Sequence, residues 1–292
     1  MPRITEYTAS TSSQGTPSIA DNDVFIIDGN SGSRKITALS LAEAMGDKLA
    51  NAGAAKPNGK SGMYRGANLG TGATFAAAST AAQRAAIADG SFTGLFIGDY
   101  WTVNGRLYRI ADFNYWKRIG NTDFNVNHIV LVPDSSFGND VMNDTNITTG
   151  AYVGSKMYTD SSSVLNTARS AISTAFGGYL ASIKKYLPTV VSNGVETGGA
   201  WADSTVDLMS EIEVYGCRIK SCHSTNFTTE KQQFALFRLN PAMVNLRYNY
   251  WLRDVVSDTQ FTPVSVNGIA GTSGTASFSY GVRPVFAVKG TE

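Results

Sequence analysis

The chain has 292 residues, enough for two ordinary domains or one large β-rich domain. Hydrophobic residues make up 42% and aromatics 11%, a globular composition, yet charged residues reach only 16%, so neutral Ser, Thr, Asn and Gly must cover most of the surface. With 24 Lys and Arg against 23 Asp and Glu, the net charge of +1 gives no overall field to draw in nucleic acid or an anionic membrane.

Residues 1–60 hold only Tyr7 and Phe25 among the chain's aromatics, which places the main core downstream of about residue 60. Within them, Val24-Phe25-Ile26-Ile27-Asp28 reads as a short strand closed by Gly29-Asn30-Ser31-Gly32, with Arg34-Lys35-Ile36-Thr37 as its hairpin partner. Ser40 and Glu43 fit a capping box before a short helix through Leu49, and the small, Gly- and Pro-containing stretch 51–62 reads as a linker. A strand-plus-helix unit this small buries too little apolar surface to stand alone, so it needs neighbours.

An Ala-rich helix is expected from Ser79 to Asp89, stopped by Gly90. Residues 96–103 and 106–113 flank Asn104-Gly105, the pairing that a two-residue hairpin turn with positive φ requires. His128 to Val132 is a continuous apolar run ended by Pro133, expected as a central strand. Leu165, Ala168, Ile172, Phe176, Leu180, Ile183 and Leu187 follow helical spacing over 162–187, with Gly177-Gly178 as a point where the helix could split, and a second helix is expected over 204–215. Strands are expected at 234–239, 250–255 and 281–288, and a long Ser, Thr, Gly and Asn segment with two Phe, 256–280, reads as a functional loop. Two main helices among mostly antiparallel strands, without βαβ alternation, predict an α+β domain over 61–292.

Tyr250-Trp251-Leu252-Arg253, followed by a variable stretch and Gly281-Val282-Arg283-Pro284-Val285-Phe286, resembles the end of the C-type-lectin-like fold of phage tropism determinants and formylglycine-generating-enzyme-like domains. Gly98-Asp99-Tyr100-Trp101, Ile110-Ala111-Asp112-Phe113, Val132-Pro133-Asp134, Met142-Asn143-Asp144-Thr145 and Val214-Tyr215-Gly216-Cys217 are similar to the virion-protein branch of that group. The 20–28 and 34–37 words resemble the opening of phage tail-fibre and head-fibre proteins, where such a segment attaches the fibre. The resemblance implies a virion protein, often a homotrimer, whose residues 1–60 attach to other virion proteins and help it oligomerise. Its lectin-like domain would bind a host-surface glycan or protein. A purely structural head-decoration or baseplate role, with the domain making protein–protein contacts only, stays open beside it.

The resemblance places ligand contacts on the loops near the last strands, here Asn245, Arg247, Tyr248, Asn249, Asp258, Gln260, Phe261, Asn267, Phe278 and Tyr280. Trp251, Arg253 and Arg283 are expected as framework, Arg283 satisfying backbone carbonyls or a carboxylate such as Asp254. If 256–280 is a free loop, replacing 258–279 by a short linker should leave the fold intact.

No enzyme or cofactor is expected. Cys217 and Cys222 lie ahead of the last three strands, unlike the paired cysteines of the formylglycine-generating relatives, and read as free thiols in a reducing cytosol during assembly. HExxH, Walker, GxSxG and GxGxxG sequences are absent, and His128 reads as a framework residue. Asp134, Asp140 and Asp144, with Asn139 and Asn143, offer oxygen ligands suited to calcium, but their spacing is not that of an EF-hand, so no metal is assigned. Arg106, Arg109, Lys117 and Arg118 are dispersed by the hairpin, so no nucleic-acid surface is expected. No run approaches the roughly 18 apolar residues of a membrane span, and the first residues lack the pattern of a secretory leader, so membrane insertion and leader-directed export are not expected.

Overall fold

The computed structural model describes residues 62–119, 124–223, 230, 232–271 and 274–292, together with the backbone of two short strands nearer the start. Those strands, β1 (Val24–Ile27) and β2 (Arg34–Thr37), pair antiparallel with Val24 opposite Thr37. The helix expected over 40–49 and nearly all of the expected linker lie outside the described residues.

From residue 62 the chain is mixed α+β, mostly sheet with short helices. After β3 (Asn68–Gly72) come α1 (Phe75–Ala78) and α2 (Ala81–Asp89). A reciprocal Thr80–Gln83 capping box starts α2, and Gly90 stops it in the left-handed conformation. Asn104 and Gly105 take φ of 48° and 74° and close β4 (Tyr100–Val103) onto β5 (Arg106–Phe113), Val103 facing Arg106, as the sequence predicts. β6 (His128–Pro133) is buried at every residue because it lies between β5 and the last strand of the chain.

Beyond the two-residue β7 (Asn139–Asp140) and α3 (Lys156–Thr159), α4 (Val164–Phe176) buries Leu165, Ala168, Ile172, Ala175 and Phe176. It does not continue to Leu187. Gly177 ends it, and β8 (Ile183–Ser192) pairs with β9 (Val195–Ser204) as a two-stranded ribbon. Ile183, Lys185 and Leu187 are buried while Lys184 and Tyr186 are half-buried, a period of two that helical spacing through Ile183 and Leu187 had masked. Pro188 is tolerated because the register shifts beside it.

The helix expected over 204–215 is instead β10 (Val206–Leu208) followed by α5 (Glu211–Tyr215), whose capping box is Ser210–Glu213. The strand expected at 234–239 is α6 (Ala235–Leu239): a continuous apolar run does not distinguish a buried strand from a buried helical turn. β11 (Tyr250–Ser257), β12 (Gln260–Val264), β13 (Tyr280–Gly281) and β14 (Pro284–Lys289) complete the chain.

Six strands form one sheet in the order β10-β14-β6-β5-β4-β3, and four form another, β12-β11-β13-β7. Phe75, Trp101, Tyr108, Phe176 and Phe286 interlock over the larger sheet in edge-to-face and stacked pairs with centroids 4.8–5.6 Å apart. A second core joins Met142, Tyr152, Leu187, Leu208, Trp251, Phe261 and Val282, tying the ribbon to the four-stranded sheet.

Candidate binding surface

The expected ligand residues do not form one site. Asn245, Arg247, Tyr248, Asn249 and Asn267 gather at the start of β11 and Asp258 and Gln260 at its far end, and the eight residues of the strand span about 25 Å at about 3.3 Å per residue. At its start stand Asn245, Arg247, Tyr248 and Asn249. The Asn245 Oδ1 accepts the Arg247 backbone N–H at 2.5 Å, which holds Arg247 at φ 61°, and the Asn249 Oδ1 accepts that of Val266 at 3.0 Å. The second bond brings in the 265–269 turn with Asn267, and the Tyr215 hydroxyl donates to the Gly268 carbonyl from below. Val266 and Ile269 leave 46% and 63% of their surface exposed there. Tyr248 faces elsewhere, its hydroxyl accepting the Ser136 N–H at 2.6 Å.

At the far end, Asp258 accepts the Gly194 N–H at 2.6 Å, clipping the ribbon turn to the sheet, and Gln260 opens β12 beside it. Back beside the start of β11, where Gly281 pairs with Tyr250, Tyr280 lies against the buried Trp251 with centroids 4.7 Å apart, and Phe278, 46% exposed, packs on Tyr280. Phe261 is not a ligand residue: it is fully buried in the second core. The segment 256–280 is therefore no free loop, since β12 pairs along β11 and Phe261, Val264, Ala270 and Ala276 fill the interior. Replacing it would remove core, contrary to the expectation that the fold would survive.

Trp251, Arg253 and Arg283 are all buried. The Trp251 indole N–H donates to the Asp140 carbonyl at 2.9 Å. Arg283 donates to the carbonyls of Pro133 and Met243, each at 2.9 Å, and not to Asp254. His128 is buried too, with Nε2 accepting the Trp116 N–H and Nδ1 against the Val126 carbonyl.

A family model described as a domain of unknown function (DUF6273) matches residues 181–290. No curated protein and no solved structure matches the chain. The matched segment runs from the ribbon to the last strand, so it contains both ends of β11 and a cluster of buried charges that sequence reasoning missed.

That cluster centres on two arginines. Arg218 reaches Asp254 at 3.0 Å and Glu196 at 3.5 Å, while Arg253 bonds Glu213 at 2.9 Å and also pairs with Glu230. The Glu211 carboxylate accepts the backbone N–H groups of Ile219, Lys220 and Ser221 and the Ser221 hydroxyl, fixing the 217–222 loop that aims Arg218 inward. Burial, reinforced by the charge of Asp254, pushes the Glu196 carboxyl up to about 8, and burial likewise raises Asp254 to about 6. Lys185, buried 4.0 Å over the Trp116 ring, is held below the usual lysine range by burial. Ser210-x-x-Glu213 was the signal available in the sequence, hidden once the helix was started at Ser204.

These carboxylates are interior and engaged, so the cluster welds the ribbon, α5 and β11 together. Asp134 pairs with Arg109 and Asp144 with Lys156, Asp140 caps the start of α4, and no metal-holding group occurs among the described residues. Cys217 and Cys222 are free, exposed thiols. A cavity of about 150 Å³ lined by Thr74, Phe176, Tyr179 and Glu292 is smaller than a typical ligand pocket. No helix among the described residues is long and apolar enough to cross a membrane.

Proposed function

We propose that this chain is a bacteriophage virion structural protein, a tail or head fibre, that presents a C-type-lectin-like domain for attachment to the host surface. Residues 1–60 would join it to other virion proteins and assemble it as a homotrimer. The observation that carries the reading is the surface at the start of β11, where side-chain amides shape two turns and leave Arg247, Val266, Asn267 and Ile269 exposed together. Mixed polar and apolar exposure on braced turns is what adaptable recognition surfaces present. Repeated copies on one particle convert weak single-site binding into stable attachment.

Antibodies against residues 62–292, viewed on intact virions by electron microscopy, test the placement. Label on the tail tip or its fibres, with the same antibodies blocking adsorption, is the expected result. Label over the capsid with adsorption unchanged would replace it by the head-decoration reading.

A further inference from the structure

The even charge balance of the whole chain conceals a local imbalance. Residues 231–253 and 259–291 contain no Asp or Glu but six Lys and Arg. The fold gathers parts of both segments at the start of β11. There the Arg283 guanidinium donates to the carbonyls of Pro133 and Met243 and lies 3.4 Å from the Tyr250 hydroxyl, neutral partners throughout. Arg106 reaches the same neighbourhood, bonding the Ser135 hydroxyl and Ser136 carbonyl at 2.9 Å, next to the N–H that Tyr248 accepts. Arg247 is exposed. None of these three arginines makes an ion pair among the described residues.

The neighbouring acids are already committed. Asp134 is paired with Arg109 at 2.7 Å and Glu213 with Arg253. A buried guanidinium satisfied only by neutral acceptors keeps its full charge in a low-dielectric setting, and its field extends to the surface above it. The amide oxygens of Asn245 and Asn249 accept backbone N–H groups, so those half-buried side chains keep their N–H donors available near Arg247. The far end of β11 has the opposite character, with Asp258 exposed.

We infer that the Arg247 end of the domain is the end that contacts ligand, and that the ligand is an anionic saccharide, one bearing carboxylate or phosphate groups among its hydroxyls. The inference rests on the attachment reading above and narrows it: one cation and several amide donors meet the acidic and hydroxyl oxygens, while Val266 and Ile269 pack against the sugar's C–H face.

The test is binding of the full chain to an array of purified bacterial surface polysaccharides that includes uronate-bearing, phosphate-bearing and neutral members. Binding confined to anionic members is expected, and the class of member bound separates carboxylate from phosphate. Arg247→Gln should weaken it about tenfold or more, Arg247→Lys less, and Lys184→Gln on the ribbon not at all. Retained thermal melting of Arg247→Gln shows that the loss is not unfolding. Binding to neutral members, or binding indifferent to Arg247, overturns the inference and leaves host attachment standing. Binding to no polysaccharide also overturns it, and adsorption blocking then judges the attachment reading separately.

Discussion

Glu196 shows how a single side chain sets a condition on the fold. Its folded-state carboxyl titrates at about 8 against an ordinary 4.5, so between those values the folded state holds a proton that the unfolded state has lost. Stability from this group is complete below about pH 4.5 and declines as pH rises toward 8, and Asp254, raised to about 6, acts in the same direction. The urea midpoint should therefore fall from pH 5 to pH 9, and Glu196→Gln, which fixes the uncharged form, should flatten that slope; an equal slope in both proteins would refute the assignment. Arg253 makes the complementary case. Arg253→Ala strands Glu213 and Glu230 as buried carboxylates without their cation and should cost about 3–5 kcal/mol, measurable by denaturant titration. Arg253 was legible as framework, but its carboxylate partners and the role of Glu196 were not. Charge at 196, 213, 218 or 254 looks like ordinary surface until the ribbon folds over α5 and β11.

Elements were legible where local chemistry alone decides them. Asn104-Gly105, the Gly90 stop and the apolar run of β6 need no tertiary information, and each stands where the sequence puts it. Two of the misread elements share one cause: at 183–187 and 234–239 the apolar pattern fits two periods, and packing chooses between them. The cationic end of β11 was hidden differently, because the residues that meet there come from segments far apart in sequence. Two glycines separate local from tertiary constraint. Gly105→Ala meets no atom within 4 Å and should cost only the positive-φ strain of about 1 kcal/mol. At Gly274 a Cβ would sit 1.9 Å from the Phe261 carbonyl oxygen and 3.0 Å from Trp251, so Gly274→Ala should cost about 3 kcal/mol or more by forcing β12 off the core. Thermal melting of the two variants ranks them, and equal shifts would show that 274 is not packed as described.

At the scale of the molecule, the neutral surface, two cores and short opening hairpin divide the labour. The part from residue 62 onward carries every buried aromatic of both cores and its own network of ion pairs, so it has the apolar mass to fold without the preceding residues. The opening 60 residues have only two aromatics, and a unit that poor in core gains stability chiefly by associating with copies of itself or with other proteins. Cutting the chain before residue 62 should then have separable effects. The remaining 62–292 fragment should melt cooperatively and sediment as a monomer, because its large sheet is capped by the short β3 and β10 rather than by long open edges. The full chain should sediment as a trimer at the same protein concentration. A trimeric fragment would move the assembly interface into the domain, with the open edges of the β8–β9 ribbon as the first place to look; a monomeric full chain would remove oligomerisation from residues 1–60 and leave virion attachment as their remaining task.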